Sequence, residues 1–144
     1  MTTKKVLTTL IILTIVTSCA LFDSRGETIK GRYNIGWIDT KANRSINYAT
    51  KDGDYGGNEK IGAFINRMGH NQRFIIAERI YFNAFALMDK PNYDSITYYI
   101  IDMEIEAPYD NKDVIGPFNK PDFEKMKIKL GIKDLEFTNE YYDY

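Results

Sequence analysis

Apolar and polar residues alternate along much of this chain. Tyr33, Ile35 and Trp37 are separated by Asn34 and Gly36, the period-two pattern of a strand with one face buried. Ile46 and Tyr48 repeat it after a turn over residues 39–44. Residues 51–60, KDGDYGGNEK, read as a loop because Gly, Asp and Asn favour turns. Residues 61–68 are predicted as a third strand and 73–80 as a fourth, with Gly69, His70 and Asn71 closing the hairpin. The run 81–88, YFNAFALM, fits a strand extension or a short helix, since so few residues define no period. A turn follows at 89–92. Residues 96–105, ITYYIIDMEI, begin as a continuous β-branched and aromatic run, which predicts a central strand.

The period then changes. Phe123, Met126 and Leu130 recur at spacings of three and four, one apolar stripe of a helix. Asn119 is its expected cap, with Asp122 three residues on as the acidic partner. Pro121 is tolerated in the first turn, where its missing N–H has no helical partner to lose. Lys125, Lys127 and Lys129 are expected away from the stripe or near the carboxyl end, where the helix dipole favours cations. Gly131 is the natural stop. Residues 135–137 are read as a further edge strand, and EYYDY forms an acidic, aromatic tail. The expected fold is α+β: a mostly antiparallel sheet of about five strands with one C-terminal helix on a face. It forms a single globular domain over residues 29–144, preceded by a cleaved signal peptide.

That signal lies at the start of the chain. Lys4 and Lys5 precede an apolar run, VLTTLIILTIVTS, over residues 6–18, and no acid occurs before Asp23. A positive start followed by a short apolar stretch is the secretory pattern. The run is shorter than the ~20 residues that span a bilayer comfortably. It ends in Val16, Thr17, Ser18 and Cys19. An aliphatic residue, two small residues and a cysteine at this place resemble the lipobox of bacterial lipoproteins. The resemblance implies cleavage before Cys19 and acylation of its thiol. It divides the chain into a signal peptide (1–18), a lipidated tether (19–28) and the domain. It also implies a partner and a place: the membrane, held through Cys19, with the domain outside the cytoplasm on the bacterial cell membrane or outer membrane. Ala20 is not the acid that resembles an inner-membrane retention signal, which favours the outer membrane where one exists.

Other uses of Cys19 fit less well. A catalytic thiol needs a base to lower its pKa, and the chain has one histidine, His70. A structural zinc needs about four N/S ligands. An intermolecular disulfide stays open for a lone exported cysteine. A second resemblance rests on Tyr98, Tyr99, Ile100, Ile101 and Asp102, then Gly116, Pro117 and Phe118, Phe123, Glu124 and Lys125, and Leu130, Gly131 and Ile132. Over about the last third of the chain these are similar to a family of small bacterial lipoproteins without assigned function, which carries no catalytic residue across.

Composition narrows the function. The 144 residues carry a net charge of −1, with 27% charged and 44% hydrophobic side chains. A globular chain without a basic patch is not expected to bind nucleic acid. The chain has 11 Tyr and 8 Phe but one Trp. Such tyrosines fill a β-rich core or present a binding face, and Tyr141, Tyr142 and Tyr144 at the tail are candidates for the latter.

Three constellations invite chemistry. Asp52, Asp54 and Glu59 lie among glycines as weak cation ligands, but a calcium loop counted from Asp52 meets Gly56 at its fifth position and Ala63 at its twelfth. Asp102, Glu104 and Glu106 would share one strand face, as a general-acid cluster or a solvated strand end. His70 is a general base only if Ser45 or Ser95 comes near, and neither lies in a Gly-x-Ser-x-Gly turn. No pattern calls for a cofactor. The expected function is a membrane-anchored, non-catalytic binding module of the cell envelope with a protein or glycan partner. The alternative is a small envelope hydrolase using Asp102, Glu104 and Glu106, or His70.

Overall fold

The computed structural model describes residues 25–81 and 92–141. The expected signal peptide, Cys19, most of the run 81–88, Tyr142 and Tyr144 lie outside the described residues. Among the described residues nine strands form two antiparallel sheets, where one sheet of about five was expected. The first sheet orders β1 (Arg25–Lys30), β2 (Tyr33–Trp37), β3 (Ser45–Tyr48) and β4 (Asn58–Ile61) consecutively. The second comprises β5 (Ile65–His70), β6 (Phe74–Tyr81), β7 (Asn92–Asp102), β8 (Val114–Phe118) and β9 (Asn139–Glu140), in the order β8-β7-β6-β5-β9. Helix α1 (Lys120–Lys129) follows β8. Strand β1 thus takes in part of the segment expected to be tether.

The third strand expected over 61–68 is two strands. Gly62, Ala63 and Phe64 carry the chain from one sheet to the other, with Phe64 at φ 76°. The backbone of this crossing is held on both sides: Ile65 N–H donates to Arg44 O at 3.1 Å and Ile80 N–H to Phe64 O at 3.1 Å. Ile61 and Ile65 then reach the same core from different sheets. Alternation alone cannot see this, because two residues four apart also share a face in a straight strand.

The two sheets enclose a core of Tyr33, Ile35, Ile46, Ile61, Ile65, Met68, Ile75, Ala77 and Ile101. Tyr33 and Tyr48 meet edge to face, ring centroids 5.1 Å apart. The far side of the second sheet presents Phe74, Ile76, Tyr98 and Ile100 to Phe123 of α1 and to Ile132. β6 and β7 are therefore covered on both faces and read as continuous apolar runs. Each fully buried Ile contributes about 1.5–3 kcal/mol.

α1 keeps its expected ends. Asn119 Oδ1 accepts from Asp122 N–H at 2.9 Å. Gly131, at φ 71°, donates to Ile128 O while Ile132 donates to Lys127 O, the paired bonds of a Schellman stop. Lys127 lies in the last turn, as expected, but does not face solvent. It is buried, its ammonium 5.6 Å from the Phe123 ring and 3.5 Å from Glu124 Oε2, while Ile128 faces solvent.

Residues 135–137 are not a strand. They cross β5 at Gly69, where a methyl group would collide with the Glu136 carbonyl, and the edge strand is β9. β8 was not anticipated, because Gly116 and Pro117 disguise it.

The strands define two ends. Arg25 pairs with Trp37 at the first end, which also holds residues 38–44, the sheet crossing, Tyr81 and Tyr141. The second end holds the β1–β2 turn, the loop before β4, the β5–β6 turn and residues 103–113.

Candidate functional site

The hydrolase constellation does not assemble. β7 ends at Asp102, so Glu104 and Glu106 lie beyond the strand and the shared-face expectation fails. Asp102 is clamped by Arg73, whose Nε and Nη2 donate to Oδ1 and Oδ2 at 2.9 and 2.7 Å. Arg73 Nη1 also meets Glu104 Oε2 at 3.0 Å, and Glu106 is exposed. The Arg73 bonds hold the Asp102 carboxyl below its usual range. A general acid needs the opposite shift. His70 is not in the turn but is the exposed last residue of β5, its Nδ1 3.3 Å from Asn71 O. Ser45 lies in the other sheet, bonded to Asn47 Oδ1 at 3.2 Å, and Ser95 lies at the opposite end of the second sheet from His70.

The weak cation ligands are not brought together either. Asp54 Oδ1 accepts from Gly56 and Gly57 N–H, both at 3.2 Å, and Oδ2 from Thr50 at 3.2 Å. This carboxylate shapes its own loop. The Gly57 N–H foremost holds its pKa down. Asp52 lies 3.7 Å from Arg32, and Glu59 is on β4. Among the described residues no three His, Cys, Asp or Glu side chains converge as a metal site.

The loop carrying Asp54 folds over the outer face of the first sheet. Gly36 makes room for it, since a methyl there would collide with the Tyr55 carbonyl. Beside Tyr55 runs an open groove of about 790 Å³, lined by Trp37, Ile38, Asn43, Ser45, Asn47 and Glu59 among others. Asn47, at its floor, is spent on Ser45 and on Tyr55 O.

A more constrained surface was missed by the sequence reading: the loop 103–113 and its clamp. Lys60 of β4 and Asp113 are both buried, Nζ to Oδ1 at 2.9 Å. Lys60 Nζ also donates to the carbonyls of Ala107 and Asp110. Tyr33 donates its hydroxyl to Asp113 Oδ2 at 2.7 Å, and Asn58 Nδ2 donates to Pro108 O at 2.7 Å. Burial, then the Asp113 carboxylate, push the Tyr33 phenol above its ordinary range, so it stays a donor. The loop lies fixed to the first sheet, with Met103 packed on the core while Ile105 and Tyr109 turn outward. Tyr109 is 86% exposed and Ile105 43%. Lys60 closes the stretch read as a loop from the sequence, and its partner Asp113 lies 53 residues further on, so no local pattern joins them.

A second buried polar cluster is structural. Glu78 accepts from Asn66 at 2.7 Å and from Arg67 Nε at 3.0 Å. Burial and the Glu78 charge push the neighbouring Tyr98 phenol up to about 12. At the first end, the Arg44 guanidinium lies between Trp37 and Tyr141, 5.4 and 4.5 Å from their rings. Tyr141 is therefore part of the packing and not a free tail residue.

These features define a small two-sheet domain with a helix on one face, whose most constrained surface is a clamped loop. The chain belongs to a family of proteins of unknown function, DUF3997, whose family model matches residues 30–141. An uncharacterised family was expected over the last third; the match takes in nearly the whole domain. No curated protein and no solved structure matches the chain.

Proposed function

We propose that the protein is a lipid-anchored, non-catalytic binding module of the bacterial cell envelope, with loop 103–113 as its partner-binding surface. The anchoring is carried by one observation: Val16, Thr17, Ser18 and Cys19 directly follow a positive start and a short apolar run. The binding role is supported by the clamp. A loop held by buried donors loses little freedom when a partner docks, and preorganisation of that kind strengthens association. Tyr is among the side chains enriched at such interfaces. The partner is an envelope protein, recognised by Tyr109 and Ile105. The hydrolase alternative has no supporting geometry, since Arg73 occupies Asp102 and Glu104.

The anchoring is tested by Cys19→Ala. The variant is expected to stay uncut, lose labelled fatty acid and leave the detergent phase; normal processing refutes it. The binding surface is tested by a photo-crosslinking residue at position 109 in living cells. A discrete adduct is expected there and none from the same residue at position 128 on α1. No adduct at 109, or equal adducts at both, refutes the surface.

A further inference from the structure

The end of the domain that receives the tether carries its own apolar tip. Arg25, the first described residue, is paired with Trp37, and Ile38 is the next residue along. Ile38 is 66% exposed. Its position is fixed: Ile38 O accepts from Thr40 N–H at 2.8 Å across Asp39 at φ 69°, and from Asn43 Nδ2 at 3.3 Å. A γ-turn of this hand is rare and costs conformational energy, yet it leaves an isoleucine in water. Tyr81, 59% exposed at the end of β6, lies at the same end but on the other sheet.

The length of chain between anchor and domain decides what covers this tip. Five residues lie between Cys19 and Arg25, which makes six Cα–Cα steps. A fully extended chain covers at most about 3.3–3.6 Å per residue, so the acylated thiol lies within about 20 Å of Arg25. Paired residues in adjacent strands are about 5 Å apart, so Trp37, the neighbour of Ile38, falls within nearly the same reach. The second end, with Tyr109, cannot approach the bilayer as closely without inverting the domain on this short tether.

We infer that the β2–β3 tip, led by Ile38 and with Tyr81 exposed at the same end of the domain, docks on the lipid bilayer to which Cys19 is anchored, fixing the domain with loop 103–113 pointing away. The inference rests on the lipid-anchor reading. An exposed aliphatic side chain and an exposed tyrosine at one end suit the boundary between headgroups and acyl chains, where Tyr is enriched. The occupant is lipid and not a second copy, because the tether delivers this end to the bilayer in every molecule, whatever the protein density.

The experiment uses the full processed protein, purified from membranes and reconstituted into vesicles of phosphatidylethanolamine and phosphatidylglycerol. In the lipidated protein the Cys19 thiol is consumed as a thioether, so an introduced cysteine is the single reactive thiol. An environment-sensitive fluorophore is placed through Ile38→Cys, Tyr81→Cys or Tyr109→Cys. The probes at 38 and 81 are expected to shift to the blue and to be quenched several-fold more by headgroup nitroxide lipids than the probe at 109. Equal quenching at all three positions, or strongest quenching at 109, overturns the inference. A shift at 38 that grows with protein-to-lipid ratio assigns the tip to another protein and also overturns it. Fluorophore coupling to Cys19 itself, or protein left in the aqueous phase, shows instead that the anchor reading failed, and the inference falls with it.

Discussion

Lys60→Met removes the ammonium that holds loop 103–113 and leaves a side chain of similar length. In the structure this nitrogen meets Asp113 at 2.9 Å with both side chains essentially inaccessible to water, at 1% and 0% exposure. Its loss strips a donor from two loop carbonyls and leaves a buried carboxylate whose remaining side-chain donor is the Tyr33 hydroxyl. Breaking a buried pair by removing one partner costs about 3–5 kcal/mol, a large part of the ~5–15 kcal/mol that stabilises an ordinary domain. The control is Lys125→Met. Lys125 stands at nearly the same distance from Asp122, 3.1 Å, but the two side chains are 77% and 52% exposed. Exposed pairs contribute about 0–1 kcal/mol. The assay is a urea titration followed by fluorescence of Trp37, the single tryptophan, with amide exchange reporting on the loop. At ~1–3 kcal/mol per M for the urea slope, Lys60→Met lowers the midpoint by at least about 1 M. Lys125→Met leaves it within a few tenths. Adding Asp113→Leu to Lys60→Met is expected to recover part of the loss, because no unpaired charge stays buried. If Lys60→Met unfolds as late as Lys125→Met, the buried clamp is not what holds the loop.

Three other substitutions test the remaining layers. Phe123→Ala empties the contact that stacks α1 on Tyr98, with ring centroids 4.9 Å apart, and is expected to cost about 3–5 kcal/mol in the same titration, against under ~0.5 kcal/mol for the exposed Ile128→Ala. Gly36→Ala pushes the Tyr55 loop off the first sheet; limited proteolysis should cut within residues 50–57 faster than in the wild type, and an unchanged rate argues against the packing described. The Asp102 carboxyl is held low by Arg73, so its contribution to stability is present above the unfolded value of about 3.9 and is lost as pH falls through the lower folded value. Asp102→Asn should therefore be less stable than wild type at neutral pH, with the gap closing below about pH 4. A gap independent of pH contradicts the ion pair.

The strands were legible where one residue in two faces a core. β2, β3, β6 and the centre of β7 carry that pattern or its doubly buried form, and α1 announces itself through Asn119, Pro121 and Gly131. The division into two sheets was not legible. It depends on Phe64 adopting φ 76°, and nothing in Gly62-Ala63-Phe64 beyond one glycine marks a crossing. β8 hid behind Gly116 and Pro117 for a similar reason: propensity argues against a strand that pairing with Tyr98, Ile100 and Ile101 imposes. The acids at 102, 104 and 106 misled because alternation says which face a residue takes only while the strand continues. β7 stops at Asp102, and the partner that fixes its charge, Arg73, lies 29 residues earlier, in the β5–β6 turn. The clamp was invisible because Lys60 and Asp113 are 53 residues apart.

The charge pair inside this domain is better explained by the loop than by the core. Apolar side chains of similar volume often serve a core as well as a buried ion pair does. They cannot serve a loop of irregular backbone, whose carbonyls need donors once buried. An ammonium has three N–H groups and no acceptor. Lys60 gives them to the carbonyls of Ala107 and Asp110 and to the Asp113 carboxylate, which Tyr33 holds from the other side. The backbone of 103–113 is thereby satisfied from below, by the first sheet, and Tyr109 is left to face outward. The same sheet carries Ile38 at its opposite end. A single hydrogen-bonded layer thus joins the two exposed apolar features: β2, which leads into Ile38, pairs with β3, and β3 pairs with β4, whose Lys60 holds the loop.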